Sequence, residues 1–416
     1  MNEHQLLPHL FRTEYRKMVS VLCYQFGIEY IEIAEDIVSE TFLSATETWG
    51  IRGTPENPAA WLYTAAKNRT KNHLKRSHLF ENKLAPQIEY HSGLEEELLP
   101  DFSVKNIEDS QLAMMFTICT PLISSESQIA LALNVLCGFG ADEIADAFLT
   151  NKEVIYKRLK RAKEKLKQQQ LQIVPVTLAE ISSRLENVLT TLYLLFSEGY
   201  YSASQNTTLR KDLCAEAMQL NYFLLAKEAT NKPAVNALFA LMCFHSSRFE
   251  ARTNSQGEMI LYEDQDESLW NQELIEQGTR YLGLSASGTQ LTKYHLEAGI
   301  AYWHTIKEES SEKWENILQL YNHLIILEYS PIVALNRTYA LAKTDGKLTA
   351  IAEAEKLKLV DNPFYYSLLG TLYTDIDTKQ AAAHFQKALL LARTDQDKAT
   401  LIKSIKKLDS YLAPRQ

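Results

Sequence analysis

Glycine and proline are scarce in this chain, which has 14 and 11 of them among 416 residues. Both residues interrupt helices, so their scarcity, together with long stretches of Leu, Ala, Glu and Lys, predicts an all-α protein. A chain of this length exceeds one ordinary hydrophobic core, and we expect two to four domains. The hydrophobic content of 46% and charged content of 23% are typical of a folded protein.

Cysteine pairs and membrane segments are also missing from the sequence. The five cysteines stand singly, mostly among apolar neighbours, with no CxxC pair and no Cys/His cluster at zinc spacing. This pattern predicts buried, reduced thiols and neither a metal site nor another cofactor. There is no charged-then-apolar N-terminal signal and no apolar run of membrane-spanning length. We therefore expect a cytoplasmic protein with no membrane partner.

An excess of basic residues is lacking too, since the net charge is −9. This balance argues against a protein that coats nucleic acid nonspecifically. Basic residues are nevertheless concentrated at 61–78, where five Lys or Arg occur without an acid, and again at 157–167. Acidic residues gather around Glu95–Glu97 and Asp101. Two local basic patches on an acidic chain predict focused contacts with phosphate.

The second basic patch belongs to a segment, Ala141–Leu166, that reads as two short helices joined by a turn. Along the second helix an apolar stripe recurs at helical spacing and leaves the remaining faces basic; it consists of Ile155, Leu159, Ala162 and Leu166. This is the plan of a helix-turn-helix, whose second helix enters the DNA major groove. A solvated amphipathic helix is the alternative, but small Ala145 permits the close helix crossing that DNA binding requires.

The first basic patch ends a helical module at residues 8–78. Its first apolar stripe runs through Ile33, Ile37, Val38, Phe42, Ala45 and Trp49. The segment 50–58 then interrupts the helix, and Pro58 is placed to begin the next one. That helix combines aromatic rings with cations, as single-stranded nucleic acid requires, and the loop before it could hold an unstacked base. Alternatively, Trp61 and Tyr63 are core residues, and for Trp61 we favour the core.

Three segments, in this order along the chain, resemble bacterial RNA polymerase sigma factors of the extracytoplasmic-function (sigma-70-like) group. They are IAEDIVSETFLSATETW (Ile33–Trp49), PAAWLYTAAKNRTKNHLKR (Pro58–Arg76) and ALNVLCGFGADEIADAFLTNKEVIYKRLKRAKEKL (Ala132–Leu166). The resemblance implies a region 2-like module at 1–78 that binds core RNA polymerase and the minus-ten element. It further implies an acidic, mobile linker at 79–105 and a region 4-like helix-turn-helix at 106–170 that binds the minus-thirty-five element.

The same resemblance implies roles for individual residues. Those expected to face core RNA polymerase are Asp36, Glu40 and Phe42, with Ile37 and Val38 nearer the core. Those expected to contact the melted minus-ten strand are Arg52, Asn57, Trp61, Lys67, Asn68, Lys71, Asn72, Lys75 and Arg76. Those expected to contact the upstream promoter duplex are Asn151, Lys152, Tyr156, Lys157, Arg158 and Arg161. The chain departs from the family at 148–150 and 153–155, which usually hold a glycine-containing turn and small residues, so the exact base contacts stay open.

The remaining residues, 177–416, are expected to form a long helical array. One stretch approximates a tetratricopeptide repeat (TPR), with Leu369, Gly370, Tyr373, Ala381, Phe385 and Ala388 in place. The array looks like the TPR-like extension of one sigma-factor subgroup, whose characteristic segments resemble Thr191–Ser202, Ala240–Arg252, Glu263–Gly278 and Ser330–Ala342. This resemblance implies a regulatory domain with a protein or peptide ligand, acting in place of a separate anti-sigma protein.

An enzyme in the C-terminal array is the most remote alternative. Its polar candidates are Glu198, His245, Arg248, Arg252, Asp264, Asp266, His295 and His304. Asp264 and Asp266 could hold a metal, but their segment lacks the spaced ligands and glycine of an EF-hand. His245 shares its helix with Leu241 and Met242, which favours a structural histidine. We therefore predict a sigma factor without catalytic residues; the alternative is a duplex-DNA-binding transcriptional regulator with a helical-repeat sensor and no polymerase partner.

Overall fold

A computed structural model of the full chain describes residues 3–76, 99–148, 150–169, 173, 177–201, 211–252, 260, 262–392 and 395–412. These residues form eighteen α-helices and several short turns of 3-10 or π helix, with no strand among them. The prediction of an all-α protein is thus confirmed. The chain divides into two compact units, Met1–Leu194 and Leu195–Gln416.

The first unit begins with helices α1 (Glu3–Phe26), α2 (Ile31–Arg52) and α3 (Pro58–Arg76). Glycines with positive φ, Gly27 at 99° and Gly53 at 80°, end the first two helices, a conformation that side chains with a Cβ rarely adopt. Pro58 begins α3 as predicted. Asn57 caps this helix, because its side-chain oxygen accepts a hydrogen bond from the Ala60 amide at 3.0 Å.

Four further helices follow in the same unit: α4 (Val104–Ile118), α5 (Ser125–Leu131), α6 (Ala141–Ala147) and α7 (Lys152–Gln168). A π-helical segment, Ala132–Leu136, continues α5. Helices α4 and α5 thus precede the helix pair that the sequence predicts at Ala141–Leu166. Residues 79–98 of the expected linker lie outside the described residues.

Helix α1 joins the two groups of helices, because it packs along α4 and touches the π-helical segment. The guanidinium of Arg16 on α1 donates to the carbonyl oxygen of Leu136 at 3.5 Å. Met18 and Leu22 on α1 and Met114 and Phe116 on α4 are fully buried. The two modules that the sequence separates therefore belong to one compact unit.

The second unit starts within α8 (Leu178–Tyr201), and consecutive helices pack against each other from α9 to α18. Their bounds are α9 Lys211–Leu225, α10 Pro233–Ser246, α11 Gln272–Ser285, α12 Lys293–Trp303, α13 Ser311–Leu327, α14 Pro331–Thr344, α15 Lys347–Leu357, α16 Pro363–Tyr373, α17 Thr378–Leu391 and α18 Asp395–Leu412. In α16, Gly370 lies so close to Phe385 of α17 that a Cβ would stand 2.7 Å from the ring. This close approach explains the glycine in the repeat-like stretch.

Candidate nucleic-acid interface

Helices α6 and α7 form a packed pair joined by a short turn. The predicted apolar stripe of α7 is buried along its whole length, from Ile155 to Leu166. Asn151 caps α7, since its side-chain oxygen accepts a hydrogen bond from the Val154 amide at 2.9 Å. The carboxylate of Glu143 similarly accepts from the Gly140 amide, 2.8 Å away, at the start of α6. These contacts fix the start of both helices.

The outward face of α7 carries most of the residues predicted to contact duplex DNA. Lys152, Tyr156, Lys157 and Arg161 are exposed, Tyr156 to 55%. Arg158 is half-buried, with its guanidinium 5.2 Å from the centre of the Phe148 ring. Asn151 is exposed, but its side-chain oxygen is used by the cap. This face thus presents cations and one aromatic ring to solvent, as a phosphate-binding surface would.

Two further lysines of α7 point toward α2 instead. The Lys163 Nζ lies 2.6 Å from both carboxylate oxygens of Glu35, and the Lys167 Nζ lies 2.6 Å from Glu32. Lys163 is only 7% exposed. Burial raises the pKa of Glu35, and the positive charge of Lys163 opposes that shift. The sequence-based account of a wholly basic outer surface on α7 is therefore wrong for Lys163, which lies in an interhelical contact.

The residues predicted to face RNA polymerase divide into two groups. Asp36 and Glu40 are exposed on α2, where Glu40 pairs with Arg69 of α3 at 2.8 Å. Ile37 and Val38 are buried, as expected. Phe42 is also buried, at 4% exposure, because its ring packs edge-on against Phe11 with the centroids 5.0 Å apart. In this arrangement the Phe42 ring packs on the buried side of α2 and is not accessible to a partner.

Most residues predicted to contact the melted strand line the surface of α3 and the loop before it. Arg52, Asn57, Asn68 and Asn72 are exposed, and Lys67 and Lys71 are half-buried. Trp61 is half-buried against Trp49, with ring centroids 5.5 Å apart, so its ring serves packing at least in part. Lys75 and Arg76 belong to α3, but their side chains lie outside the described residues.

The polar candidates of the C-terminal array divide into scattered residues and one cluster. His295 caps the start of α12 with Thr292, and Asp266 accepts a hydrogen bond from the Ser268 amide at 2.9 Å. By contrast, four candidates lie close enough to interact electrostatically: His245, Arg248, Arg252 and His304. Within the described ranges, no group of three or more His, Cys, Asp or Glu side chains is placed to hold a metal ion.

Comparison with known proteins shows which class of protein the N-terminal helices resemble. Residues 11–79, which include α2, α3 and most of α1, match sigma-70 region 2. The N-terminal domain is therefore that of a sigma-70-family factor, a class that binds core RNA polymerase and promoter DNA. Residues 184–286 match a family of unknown function (DUF6596).

The chain belongs to the same protein family as an uncharacterized protein of Rhizobium meliloti (strain 1021). The two are 31% identical over 376 residues, which is 89% of this chain and 88% of that protein. The shared length covers both units, so the C-terminal array is part of the family and not an addition peculiar to this chain. No solved structure matches the chain. None of the described helices is long and apolar enough to cross a membrane.

Proposed function

We propose that this protein is a sigma factor of the extracytoplasmic-function group that directs core RNA polymerase to a subset of promoters. The observation that carries the proposal is the pairing of a sigma-70 region 2 domain with a second helical pair, α6–α7, that exposes a basic face. In this role the protein binds and positions, whereas the polymerase makes RNA. It would act where the polymerase and the chromosome are, in the cytoplasm.

Under this proposal α7 is the recognition helix of a helix-turn-helix that binds the minus-thirty-five duplex. Lys152, Lys157 and Arg161 meet phosphates, and Tyr156 faces the groove. Helix α3 and the preceding loop hold the melted minus-ten strand through Asn68, Asn72 and the lysines beside them. Asp36 and Glu40 on α2 contact core polymerase, with Phe42 supporting the helix from the core.

The compact first unit implies that the two modules separate when a promoter is bound. By their names the two promoter elements stand roughly 25 base pairs apart, on the order of 85 Å of duplex at 3.4 Å per pair. Modules that share the α1–α4 contact and the Lys163–Glu35 pair do not span that distance. The packed arrangement therefore represents the free protein, and the ion pairs between α2 and α7 hold it closed.

The C-terminal array acts, in this proposal, as a TPR-like regulatory domain in the same chain. The consecutive packing of α9 to α18 and the close Gly370–Phe385 contact support a repeat-like organisation. A protein or peptide ligand of this domain, or a smaller effector, would set the activity of the sigma modules. Removing residues after 201 tests this role, because transcription by the truncated chain should lose its regulation.

The decisive experiment is transcription in vitro with core polymerase and a genomic promoter library. Asp36→Arg should abolish the complex with core polymerase and promoter-dependent RNA synthesis. Glu47→Arg is a matched control, since Glu47 is also an exposed acid of α2. If the wild-type chain does not bind core polymerase and Asp36→Arg changes nothing, a duplex-binding regulator with a helical sensor becomes the better account.

A further inference from the structure

Two arginines of the second unit, one buried and one half-buried, have no carboxylate partner among the described residues. Arg248 follows α10 and is 7% exposed; Arg252 comes after a single 3-10 turn, Phe249–Ala251. Both guanidinium groups contact aromatic rings. The guanidinium carbon, Cζ, of Arg252 lies 3.9 Å from the centroid of the Tyr200 ring. The Cζ of Arg248 lies 5.4 Å from the centroid of the Tyr262 ring.

Several buried N–H or ring nitrogen atoms in the same part of the unit form no hydrogen bond within the described structure. They are Arg248 Nε, Arg252 Nη1, Trp270 Nε1 and His304 Nδ1. Buried polar atoms almost always have a partner, and an exception calls for an explanation. Two of these atoms belong to the arginines, and the other two lie on rings that contact Tyr262, the ring on which Arg248 packs.

The neighbouring histidines add no positive charge to the cluster. Burial, reinforced by Arg248, Arg252 and His304, holds the pKa of His245 well below its ordinary value. Burial also lowers the pKa of His304 to about 3, with Arg248 contributing. Both imidazoles are therefore neutral at physiological pH, and the charge of the cluster is that of the two guanidinium groups.

A third buried cation nearby shows what a fully satisfied site looks like in this fold. The Lys313 Nζ donates to the Ile306 carbonyl at 2.7 Å and to the Tyr262 hydroxyl at 3.2 Å, and it pairs with Glu309 at 3.2 Å. Lys313 thus has a carboxylate and two further oxygen partners. Arg248 packs on the same tyrosine, yet no described carboxylate pairs with it. Lys313 is therefore a structural cation, whereas Arg248 still lacks an anionic partner among the described residues.

We propose that Arg248 and Arg252 form a binding site for a small-molecule oxyanion, a carboxylate or a phosphate. A guanidinium group cannot lose its proton in a protein, so burial does not neutralise it. An unpaired buried charge is costly, and the attraction of an aromatic ring offsets only part of that cost. An oxyanion accepting from the unpartnered N–H groups supplies both the opposite charge and the hydrogen bonds, and two arginines suit its paired oxygens.

The site lies within a domain that we propose to be regulatory, so its role as an effector site rests on that proposed function. Binding itself does not, because it is measurable on the protein alone. The aromatic rings of Tyr200 and Tyr262 flank the guanidinium groups and would restrict the site to compact ligands. The proposal thus names a small anionic metabolite as the class of signal that reaches the C-terminal domain.

The test is thermal unfolding and titration calorimetry of the full-length protein with inorganic phosphate and with succinate, at constant ionic strength. At least one probe should raise the unfolding temperature saturably and show a measurable Kd. Arg248→Gln and Arg252→Gln should each weaken binding by about tenfold or more, because each removes a charge-assisted hydrogen bond. Arg280→Gln, at an exposed arginine of α11, should bind as the wild type does.

A second measurement separates a binding role from a structural one. In a buffer poor in oxyanions, Arg248→Gln should unfold at the same or a higher temperature than the wild type, since an unpaired buried charge is gone. Which probe saturates at the lower concentration distinguishes a phosphate from a carboxylate ligand. A flat response of the wild type to both probes, or an equal response of Arg248→Gln, overturns the proposal. Neither the unfolding measurement nor the titration involves polymerase, so a negative result here leaves the proposed sigma-factor function untested and unchanged.

Discussion

The Lys163–Glu35 contact is a nearly buried ion pair between α7 and α2, and replacing one partner should expose its energetic role. Glu35→Gln leaves the Lys163 ammonium group buried without a counter-charge. Losing one partner of a fully buried pair costs about 3–5 kcal/mol, and we expect about 2–3 kcal/mol here because Glu35 keeps some exposure. Urea unfolding of the full-length chain measures this loss as a lower transition midpoint for the first unit.

A matched control stands one turn away in the same two helices. Glu32→Gln breaks the pair with Lys167, in which the glutamate side chain is 54% exposed, and should cost less than about 1 kcal/mol. Glu35→Leu combined with Lys163→Met removes both charges and should recover most of the lost stability. Equal losses for Glu35→Gln and Glu32→Gln would show that burial does not strengthen the inner pair.

His304 predicts a pH dependence for the second unit. Burial, then the charges of Arg248 and Lys313, lower its pKa from 6.5 to about 3, while Glu309 opposes the shift. The unfolded chain therefore takes up a proton near pH 6.5 that the folded protein accepts only near pH 3. This contribution to stability is fully present above pH 6.5 and is lost as the pH falls toward 3, at up to about 1.4 kcal/mol per pH unit.

Chemical unfolding at several pH values between 7 and 4 tests this dependence. His304→Gln should flatten the acid side of the stability profile, because it removes one group that titrates differently in the two states. The pKa of His245 is also lowered, so replacing His245 with Gln should change the stability profile in the same direction. His323→Gln, at an exposed histidine of α13, should leave the profile unchanged. An unaltered slope in His304→Gln would contradict the assigned burial of that imidazole.

At the scale of the element, α7 is amphipathic in a way that the sequence shows only in part. The stripe from Ile155 to Leu166 was enough to predict its buried side. Lys163 follows Leu159 by four residues and precedes Leu166 by three, so it lies on that same side. Glu35 lies between Ile31 and Val38 with the same spacing on α2. A charged residue on the apolar side of α7 and another on the apolar side of α2 indicated that each needs a buried partner. Periodicity alone does not show that these two helices meet and that Lys163 pairs with Glu35.

The outer face of α7 leads to a prediction about salt dependence. Lys157→Gln with Arg161→Gln should weaken binding of the holoenzyme to a selected promoter duplex and reduce the slope of log K against log salt by about 2. The expected change follows from a contribution of about 0.9 for each phosphate contact to B-form DNA. Affinity measured at several salt concentrations gives the slope directly.

A control for this helix comes from the second unit. Lys406→Gln removes an exposed lysine of α18 and should leave both affinity and slope as they are. If the double variant lowers affinity without changing the slope, the two cations do not contact phosphate. If Lys406→Gln has the same effect as the α7 variant, the basic face of α7 is not the duplex-binding surface.

The sequence predicts the break between α2 and α3 and the start of α3 at Pro58, and the structure has both. The helix end at Gly27 and the capping role of Asn151 were not among the predictions. Phe42 belongs to the apolar stripe of α2, but the resemblance implied that it faces core RNA polymerase. Its burial against Phe11 agrees with the stripe, which does not itself reveal the helix that supplies Phe11. Similarly, the helical spacing of the C-terminal array does not show that His304 joins His245, Arg248 and Arg252, since a long segment of chain separates His304 from the other three.

The long-range packing of the first unit is a part of the fold that the sequence does not predict. The sequence predicts two helical modules joined by an acidic linker. In the structure, helices of both segments share contacts such as that of Arg16 with Leu136, which lie 120 residues apart. Composition and periodicity report local structure, whereas such long-range contacts depend on the complementary shapes of surfaces that only folding brings together.

The closed arrangement makes a prediction about the whole protein. Glu32→Cys with Lys167→Cys places two thiols at facing positions of α2 and α7, where the longer native side chains meet with Lys167 Nζ 2.6 Å from the Glu32 carboxylate. A short bismaleimide should bridge the wider gap between the thiols. The five native cysteines are buried, and burial raises the pKa of Cys119, Cys214 and Cys243 to about 12, so they should not compete for the reagent. If the modules must part to reach both promoter elements, the linked protein loses promoter-dependent transcription.

The two single-cysteine variants, treated with the same reagent, separate this effect from chemical damage. Each carries one modified surface position and loses one exposed ion pair worth less than about 1 kcal/mol, so each should transcribe as well as the untreated protein. A cleavable linker adds a second check, since cutting it should restore transcription to the doubly substituted chain. Full activity of the linked protein would mean that α2 and α7 stay together on the promoter, and the ion pairs would then be structural supports rather than a latch.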